Sequence, residues 1–577
     1  MTRRLRPVAL AIVCLLLAGA AVAAPVKPRL VVLISIDQLR ADYLERFSDL
    51  FLPAQDAKGV GGFRYLMERG AYHTDAHHDH YPLFTGPGHS VLLTGAPPYT
   101  SGIVGNSWFD RDAGNGGKPR YCVRDWSERG TLLDPDPRQP QKRDDDSGVS
   151  PATLRVSTVG DELKMATGGR AKVWGLAFKD RAAVLMAGHL PNGALWFDSA
   201  TGGWISSRFY YTFTGETELP QWVVDWNRAK KVDAYFGKTW DLSVPPKALE
   251  RLWSASNDFA NPKNGLGKSF PHPVDGGLQQ PGMAFYEAFT NTPYGNEYVL
   301  ATAEELIRRE GLGKDEIPDL LAINLSSNDY IGHAFGPDSP EVLDVSVQTD
   351  RQLSGFFRFL GKTVPGGLQN VTLVVTADHG VSPMAEEMAE QGFVTAGGYS
   401  EKALQDAVKA ALDAAIGPGD WVKSLAEFNL YLNLDTIKQK GADPARAEEI
   451  AAEALRHQPG IYAAYTRGQI LQGRVPGTDI GHRVVLGFHP KVSGDVVIVL
   501  DPYAVPGSGS VVKGTTHGTT YAYDTSVPLL LAGAGIKPGR YTQRVSTLDI
   551  APTLSQLLGV LQPSGCEGHV LSPALKP

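Results

Sequence analysis

Short runs of apolar residues recur along the chain without the alternating polar positions of a half-exposed strand. The first run, Leu30–Ile36, holds six apolar residues and Ser35. A continuous apolar run of this length predicts a strand that is buried on both faces, as in a parallel sheet. Runs of this kind lie at residues 30–36, 172–178, 320–325, 372–376 and 528–531. We predict a buried strand at each of them.

Between these runs, apolar residues fall three or four positions apart, which is the spacing of one face of a helix. Segments with this period lie at residues 42–50, 157–166, 298–309 and 342–360. Buried strands that alternate with helices build a mainly parallel sheet that is covered on both sides. The predicted fold class is therefore α/β, with a mainly parallel central sheet and helices on both faces.

Two segments interrupt this alternation. Residues 192–295 are rich in Trp, Tyr, Pro and Gly and have no clean period, so we expect a cap insertion beside the core. Residues 386–490 contain two amphipathic helical patterns, at 401–416 and 444–457, and a strand-like run at 428–434. This mixture predicts a small α+β insertion. Both insertions would lie within one catalytic domain of residues 24–577.

The composition narrows the class of protein. Of the 577 residues, 42% are hydrophobic, which is enough for a large core and excludes wholesale disorder. Only three residues are cysteine, which excludes a disulfide scaffold and a cysteine-based zinc finger. The formal charge of −7 argues against general nucleic-acid binding through a basic surface, so we expect no nucleic-acid partner. An anionic substrate would have to be bound locally, by metal ions or a few cations.

The N-terminus predicts export. Arg3, Arg4 and Arg6 precede an apolar run over residues 8–20, and small residues end at Ala23. This is the pattern of a cleavable signal peptide over residues 1–23, and the run is shorter than the ~20 residues of a spanning helix. We expect cleavage after Ala23, a periplasmic or secreted protein and no stable membrane anchor. Removing the three arginines leaves a formal charge of −10.

Three predicted strands run into an aspartate at once or within a few residues: Asp37, Asp329 and Asp378. A single aspartate there would fit a turn or a helix cap. Three together are informative, because ligands of open α/β sheets bind outside the carboxyl ends of the strands. His333 follows Asp329 by one helical turn, and His379 follows Asp378 directly.

A further histidine, His517, stands in a loop rich in Gly and Thr. Three carboxylates and three imidazoles suit borderline cations such as Zn²⁺, and they suffice for two sites of three protein ligands each. For the cluster His73, His77, His78 and His80 we favour surface positions or support of the site. For His89 and His189 we favour structural hydrogen bonding.

A hydroxyl and two cations stand near other predicted element ends. Thr85 lies on a Gly- and Pro-rich turn before an apolar helix-like run, where a helix N-terminus would offer backbone N–H groups to an anion. Taken alone, Thr85 fits a helix cap better than a nucleophile. Lys179 and Arg181 follow the strand predicted at 172–178 and, taken alone, fit a solvated loop.

Together these motifs resemble the alkaline phosphatase superfamily, and within it the type I phosphodiesterase/nucleotide pyrophosphatase branch. The greatest similarity is to bacterial alkaline phosphatases with a threonine nucleophile, the phosphate-irrepressible kind. The likeness extends from residue 31 to about residue 560 and includes the motif at residues 546–553. It implies two Zn²⁺ per chain, one bound by Asp329, His333 and His517, and the other by Asp37, Asp378 and His379.

The resemblance also implies roles for four other residues. Thr85 would be the nucleophile and form a phosphothreonine, and Asn106 would donate to a phosphate oxygen. In the monoesterases of this kind, a lysine and an arginine at the spacing of Lys179 and Arg181 bind the phosphate. A monoester carries about two negative charges and a diester one, so this pair favours the monoester.

We therefore expect an exported alkaline phosphatase that acts on small phosphate monoesters, has secondary phosphodiesterase activity and is monomeric. The main alternative is a phosphodiesterase/nucleotide pyrophosphatase whose principal substrate is a diester; a remote one is an inactive phosphate-ester binding protein. A sulfatase would need a C/S-x-P-x-R motif, which Cys122 and Cys566 do not fit, and a phosphoglycerate mutase-type enzyme would use serine. In an oxidising compartment the two cysteines could form a disulfide or remain free.

Overall fold

The computed structural model of the protein describes residues 27–56, 59–114, 116–127, 148–210, 219–252, 257–507 and 512–577. The signal peptide predicted over residues 1–23 lies outside these ranges. Within them, no helix combines the length and the apolar character that crossing a bilayer requires.

Strands of three or more residues are numbered here in chain order within the described ranges. They are β1 (Leu30–Ile36), β2 (Ala71–His73), β3 (Ser107–Asp110), β4 (Lys118–Tyr121), β5 (Val173–Ala177), β6 (Gly193–Asp198), β7 (Gly203–Ile205), β8 (Lys238–Trp240), β9 (His272–Val274), β10 (Asp319–Leu325), β11 (Val371–Thr376), β12 (Gly397–Tyr399), β13 (Val422–Ala426), β14 (Asn429–Leu432), β15 (Ile461–Thr466), β16 (Val496–Leu500), β17 (Ala504–Pro506), β18 (Leu529–Gly533) and β19 (Gly539–Tyr541).

Helices of eight or more residues are numbered in the same way. They are α1 (Thr85–Thr94), α2 (Val159–Ala166), α3 (Asp180–Ala187), α4 (Gln221–Arg228), α5 (Met283–Thr290), α6 (Pro293–Glu310), α7 (Ser327–Phe335), α8 (Pro340–Thr363), α9 (Glu401–Ile416), α10 (Pro444–Arg456), α11 (Asp479–Gly487) and α12 (Ile550–Leu558).

A nine-stranded sheet forms the centre of the described structure, in the order β7-β6-β5-β10-β1-β11-β18-β2-β19. Its middle five strands, from β6 to β11, are parallel to one another, and β7 and β18 run antiparallel to their neighbours. The five strands predicted from the apolar runs are β1, β5, β10, β11 and β18, each within two residues of its predicted ends. The predicted mainly parallel sheet is confirmed.

Strand β1 shows why the apolar runs are continuous. Leu30, Val32 and Ile34 face one hydrophobic core, and Val31 and Leu33 face another on the opposite side of the sheet. Side chains of α6 and α8 complete the first core, and those of α1, α3 and α12 complete the second. Because both faces are covered, every position of the strand is buried, and helices lie on both faces as predicted.

The segment 192–295 begins inside the central sheet. Its first two strands belong to that sheet: β6 pairs with β5, and β7 pairs with β6 and forms the edge. The aromatic side chains that follow, among them Trp226 and Trp240, pack into the same core as β1. The described cap material therefore starts after β7 and shares the core of the catalytic domain. These two strands were not predicted from the sequence because they lie among Gly and Trp residues and have no clean period.

The insertion predicted at 386–490 contains a four-stranded antiparallel sheet, in the order β13-β14-β16-β15, with α9 and α10 packed on it. This unit has its own hydrophobic core, which includes Val408, Leu430 and Ala451. Helix α9 has the predicted bounds, and α10 ends one residue earlier. Strand β16 extends the unit to Leu500, beyond the predicted end.

The two cysteines among the described residues, Cys122 and Cys566, lie at opposite ends of α1. A Cβ atom at Gly86 would lie 3.1 Å from Cys122 Sγ, and one at Gly95 would lie 2.6 Å from Cys566 Sγ. A ten-residue helix is about 15 Å long, far beyond the reach of a disulfide. Both cysteines are free thiols.

Candidate active site

Three aspartates meet at the carboxyl edge of the central sheet. Asp37 directly follows β1, Asp329 lies in the first turn of α7 after β10, and Asp378 lies two residues after β11. Strands β10, β1 and β11 are adjacent and parallel, so their ends converge. All three carboxylates are buried. The sheet therefore concentrates negative charge at one place, as the strand-end pattern predicts.

One group of candidate metal ligands consists of Asp329, His333 and His517. Asp329 and His333 are one turn apart on α7, with Asp329 Oδ1 3.1 Å from His333 Nε2. His517 Nε2 lies 3.7 Å from the same oxygen. Ligand atoms of the three residues all lie within 4.8 Å of one another, which is close enough to hold one ion.

The second group implied by the resemblance is Asp37, Asp378 and His379. Among the described residues, the ligand atoms that lie within 4.8 Å of one another here belong to Asp37, His89 and Asp378 and to Asp37, Asp329 and His379. His379 Nε2 lies 3.2 Å from Asp378 Oδ2 and 3.6 Å from Asp37 Oδ1. These three atoms are buried, and none has a hydrogen-bond partner in the part of the chain that the structure describes. Buried polar atoms are normally satisfied, so three unpartnered ligand atoms facing one another fit a bound cation.

The imidazoles of both groups share one orientation. Each uses Nδ1 to bond a backbone carbonyl oxygen, and because a carbonyl can only accept, Nδ1 carries the proton. The Nε2 lone pair is thus left for a metal, the usual arrangement of histidine ligands. The bonds run from His333 to Thr515 O (2.8 Å), from His379 to Gly380 O (2.9 Å) and from His517 to Leu83 O (2.7 Å).

His89 lies close to the second group but has both ring nitrogens engaged. Its Nδ1 lies 2.9 Å from Thr85 O, and its Nε2 lies 3.0 Å from the amide nitrogen of Asn324. Although Nδ1 also lies 3.2 Å from Asp378 Oδ2, no lone pair remains for a metal. This agrees with the structural role expected of His89.

The histidine cluster before α1 lies largely inside the protein. His73, His78 and His80 are buried, so the surface positions considered for them are wrong. The reason is that His73 belongs to β2 of the central sheet, and the following segment runs beneath the site. His78 Nε2 lies 3.0 Å from Ala377 O and thereby supports the backbone next to Asp378.

Lys179 links the two ligand groups. Its Nζ lies 2.9 Å from Asp37 Oδ2 and 2.6 Å from Asp329 Oδ2. Burial opposes the charge on Lys179, but Asp329 and Asp37 outweigh burial and raise its pKa above the ordinary value. The ammonium therefore remains charged between one ligand of each group.

The ligands influence one another's protonation. Burial raises the pKa of Asp37 to about 6, and the Asp378 carboxylate adds to the rise. Burial acts on Asp329 too, but His333 and Lys179 outweigh it and hold the Asp329 pKa well below its ordinary value. Likewise, Asp378 overcomes burial and raises the pKa of His379 to about 9. The site is dense in negative charge, which is the environment that attracts a dication.

Thr85 is the first residue of α1, and Phe84 occupies the cap position without a side-chain cap. The Thr85 hydroxyl is buried and accepts a bond of 3.4 Å from Arg181 Nη2. Arg181 also lies 3.2 Å from the Tyr121 hydroxyl. The hydroxyl therefore faces a guanidinium instead of capping its helix, which removes the cap interpretation left open for Thr85.

Asn106 is fixed at three of its polar groups. Its side-chain oxygen accepts from Gly86 N at 2.7 Å, and its backbone oxygen accepts from Cys122 N at 2.8 Å. Its backbone N–H donates to Glu427 at 2.6 Å. Within the described part of the chain, the Nδ2 group makes no hydrogen bond, so it is the donor that Asn106 can offer to a ligand beside Thr85.

A cleft of about 650 Å³ opens beside the first ligand group, where His333 forms part of its wall. Phe178, Phe197 and Tyr330 also line the cleft. Three asparagines, two lysines and one glutamate contribute its polar lining, at Asn261, Asn264, Asn291, Lys263, Lys513 and Glu287. The cleft therefore combines aromatic surface with hydrogen-bonding groups and a small excess of positive charge.

Sequence reasoning missed residues that hold the ligands in place. Gln38 donates from Nε2 to Asp329 Oδ1 at 2.7 Å and from its backbone to Asp378 Oδ1 at 3.2 Å. Its φ of +67° is rare for a residue other than glycine. Gln38 could have been identified from the sequence because it directly follows Asp37. No feature of the sequence near Asn106 indicates Glu427.

Comparison with known proteins places the chain in a family. The family model described as type I phosphodiesterase/nucleotide pyrophosphatase matches residues 31–520. Alkaline phosphatase PhoV of Synechococcus elongatus is 34% identical over 95% of this chain and 93% of its own. Alkaline phosphatase PafA of Elizabethkingia meningoseptica is 32% identical over 95% of both chains. A Myroides odoratus protein named calcium-transporting ATPase is 32% identical over 95% of both chains.

Solved structures agree with this assignment. The crystal structure of PafA matches with a TM-score of 0.83 and 31% identity, over 96% of this chain and 100% of that one. Murine ectonucleotide pyrophosphatase/phosphodiesterase 5 matches with a TM-score of 0.51 and 15% identity, over 95% and 100%, which is a likeness of fold alone. The resemblance inferred from the motifs is confirmed: the chain belongs to the type I phosphodiesterase/nucleotide pyrophosphatase family, with alkaline phosphatases among its relatives.

Proposed function

We propose that this protein is an exported, zinc-dependent alkaline phosphatase that hydrolyses small phosphate monoesters through a phosphothreonine at Thr85, with secondary phosphodiesterase activity. One observation carries the proposal. The Thr85 hydroxyl is buried against Arg181, and the strand ends gather acidic and imidazole side chains, of which Asp37 Oδ1, Asp378 Oδ2 and His379 Nε2 have no hydrogen-bond partner among the described residues. The alkaline phosphatase relatives support the same class of reaction.

The ligand set fits two Zn²⁺ ions in chemistry as well as in number. Bound there, such ions act as Lewis acids that lower the pKa of hydroxyl groups and neutralise charge on oxygen. We assign one ion to Asp329, His333 and His517 and the other to Asp37, Asp378 and His379.

Thr85 supplies the nucleophile in the first step. Its hydroxyl proton passes to solvent as the oxygen attacks phosphorus and a new P–O bond forms. The ester oxygen departs with the electron pair of the cleaved P–O bond and takes a proton from solvent to give the alcohol. The N-terminus of α1 directs its positive dipole end toward the transferred phosphoryl group. In the second step water cleaves the phosphothreonine, which releases inorganic phosphate and restores the Thr85 hydroxyl.

Three side chains favour the monoester. Arg181 at the Thr85 hydroxyl and the buried Lys179 supply positive charge next to the position of the nonbridging oxygens. The Nδ2 group of Asn106 supplies a neutral donor. A phosphate dianion gains more from two cations than a diester monoanion does. The leaving group would occupy the cleft beside His333, whose polar lining suits a hydrophilic ester.

The family match keeps a diesterase as the second candidate, because the model that covers residues 31–520 is described by phosphodiesterase and nucleotide pyrophosphatase activity. The test compares kcat/KM for an aryl phosphate and for the matching methyl aryl phosphate diester at alkaline pH. The proposal requires the monoester to be hydrolysed faster. A faster diester reaction would assign the protein to the second candidate.

Export rests on the pattern of residues 1–23 and has its own test. The protein is produced in a Gram-negative host, the periplasmic fraction is isolated, and the N-terminus of the recovered protein is sequenced. Our proposal predicts a mature chain that begins at Ala24. A full-length chain retained in the cytoplasm would contradict it.

A further inference from the structure

The turn between β13 and β14 brings the α+β insertion into the active site. Its two central residues, Glu427 and Phe428, have φ values of +44° and +69°. Two-residue hairpin turns of this kind favour Asn and Gly, because other residues pay a steric cost of about 1–2 kcal/mol at positive φ. Glu and Phe are therefore unfavourable at these positions for the turn itself, and such strain is a reason to look for a functional constraint on their side chains.

The Glu427 carboxylate holds the loop that carries Asn106. One oxygen accepts the backbone N–H of Asn106 at 2.6 Å, and the other accepts the backbone N–H of Ser107 at 3.0 Å. A Cβ atom on Gly105 would lie 2.5 Å from Glu427 Oε2, so glycine is required for this close approach. Burial raises the pKa of Glu427 to about 7, so at alkaline pH the carboxylate is ionised, and its two bonds then hold the loop more firmly than two neutral hydrogen bonds would.

The neighbouring Phe428 holds the other side of the same site. Its ring stacks on Phe84 at 5.4 Å and on Tyr81 at 5.7 Å between ring centroids. Phe84 directly precedes Thr85. One turn of the insertion therefore contacts both the segment that ends at the Thr85 hydroxyl and the loop that presents Asn106.

We propose that Glu427 is a positioning residue for phosphoryl transfer: by holding the backbone of residues 106 and 107, it directs the Nδ2 group of Asn106 at the transferred phosphoryl group. The inference rests on the proposed function of Asn106. It gives the insertion a role in the reaction, although this unit has a hydrophobic core of its own and supplies none of the assigned metal ligands.

A double-mutant cycle between Glu427 and Asn106 tests the proposal. The holoenzymes of wild type, Glu427→Ala, Asn106→Ala and the double variant are assayed with an aryl phosphate. Glu427→Ala should lower kcat/KM about 10- to 100-fold, the range for loss of hydrogen bonds to a charged group. In the Asn106→Ala background the same change should cost less than about threefold, because the group that Glu427 positions is already absent.

Two further variants separate positioning from folding. Gly105→Ala keeps Glu427 but blocks its approach, and it should reproduce the loss. Glu401→Ala removes a nearby exposed carboxylate that lines the same small cavity as Glu427, and it should leave activity unchanged. Zinc content and thermal midpoint are recorded for each, and if Glu427→Ala does not fold, the cycle is repeated with Glu427→Gln.

The proposal is overturned if the effects of Glu427→Ala and Asn106→Ala multiply, or if Glu427→Ala retains full activity. Failure of the proposed function would look different. In that case the wild type would favour the diester, and the cycle, run with the diester, would still report whether Glu427 and Asn106 are coupled.

Discussion

Lys179 Nζ lies 2.6 Å from Asp329 Oδ2, and the same ammonium also contacts Asp37 of the other ligand group. One cation thus balances charge on both groups and stands where a substrate phosphate would meet them. This double contact leads to separate expectations for substrate selectivity and for metal binding.

Replacing Lys179 and Arg181 with alanine should change the preference between esters. We expect kcat/KM for the monoester to fall by at least about tenfold more than for the diester, because the second charge of the dianion loses its partners. The monoester/diester ratio is measured for wild type, each single variant and the double variant. Equal losses on both esters would show that these cations do not distinguish the second charge.

Lys179→Ala should not weaken metal binding. Removing a cation that contacts Asp37 and Asp329 leaves the ligand groups more negative, which favours dications. Zinc affinity is measured by competition with a chelator, and Arg181→Ala serves as the control because Arg181 contacts Thr85 instead of a ligand. A marked loss of zinc in Lys179→Ala alone would mean that the lysine organises the ligands structurally.

Thr85→Ala should abolish turnover while two zinc ions stay bound, since the variant keeps all six acidic and imidazole side chains of the two proposed sites. Thr85→Ser keeps a hydroxyl and should retain part of the activity. Phosphate release, metal content and mass-spectrometric detection of phosphorylated protein after acid quenching check this. Full activity of Thr85→Ala would remove the residue from the mechanism.

Lys263 and Lys513 should favour leaving groups with their own negative charge, because both line the cleft beside His333. For 4-(phosphonomethyl)phenyl phosphate, changing both lysines to alanine should lower kcat/KM about two- to fivefold, as expected for exposed charge pairs. For 4-ethylphenyl phosphate, which has a neutral leaving group, kcat/KM should not change. Equal effects on both esters would show that the two lysines do not distinguish a charged leaving group from a neutral one.

His73 should make the fold sensitive to acid. Burial lowers its pKa to about 4, and neither ring nitrogen has a hydrogen-bond partner among the described residues. The unfolded chain, with a histidine pKa near 6.5, therefore binds the proton first as pH falls. The stability that neutral His73 contributes is present above pH 6.5 and is lost between pH 6.5 and 4, by at most about 3 kcal/mol.

The variant His73→Phe tests this expectation, since it keeps an aromatic ring stacked on Tyr541. Urea unfolding at pH 7.5 and 4.5 should show a smaller loss of stability than in wild type. His457→Phe, at an exposed position, is the control and should behave like wild type. An unchanged loss in His73→Phe would place the acid sensitivity elsewhere.

The parallel strands and the aspartates that gather at their ends could be predicted because each leaves a local pattern in the sequence. Burial on both faces requires a continuous apolar run, and a ligand at a strand end follows that run directly, as Asp37 follows β1. Glu427 could not be found in this way. It acts on Asn106 across 321 residues of sequence, and the contact depends on how the insertion docks.

Strands β6 and β7 and the ends of the second insertion could also not be predicted from the sequence. Strands that contain Gly and Trp have no clear period, and the place of these two is set by pairing: β6 pairs with β5, and β7 pairs with β6. The place of the Thr85 hydroxyl was also not predictable, because it depends on Phe84 occupying the cap position and on the contact with Arg181.

The backbone carbonyl groups that bond to the three candidate ligand imidazoles have a consequence for the order of folding and metal binding. Leu83, Gly380 and Thr515 hold the three rings through their carbonyl groups, and Asp37 and His517 are separated by 480 residues of sequence. Closing loops of this length costs entropy that only the folded sheet offsets. The two candidate ligand groups therefore form only once the sheet has folded almost completely, and any metal ion that they bind is acquired after folding.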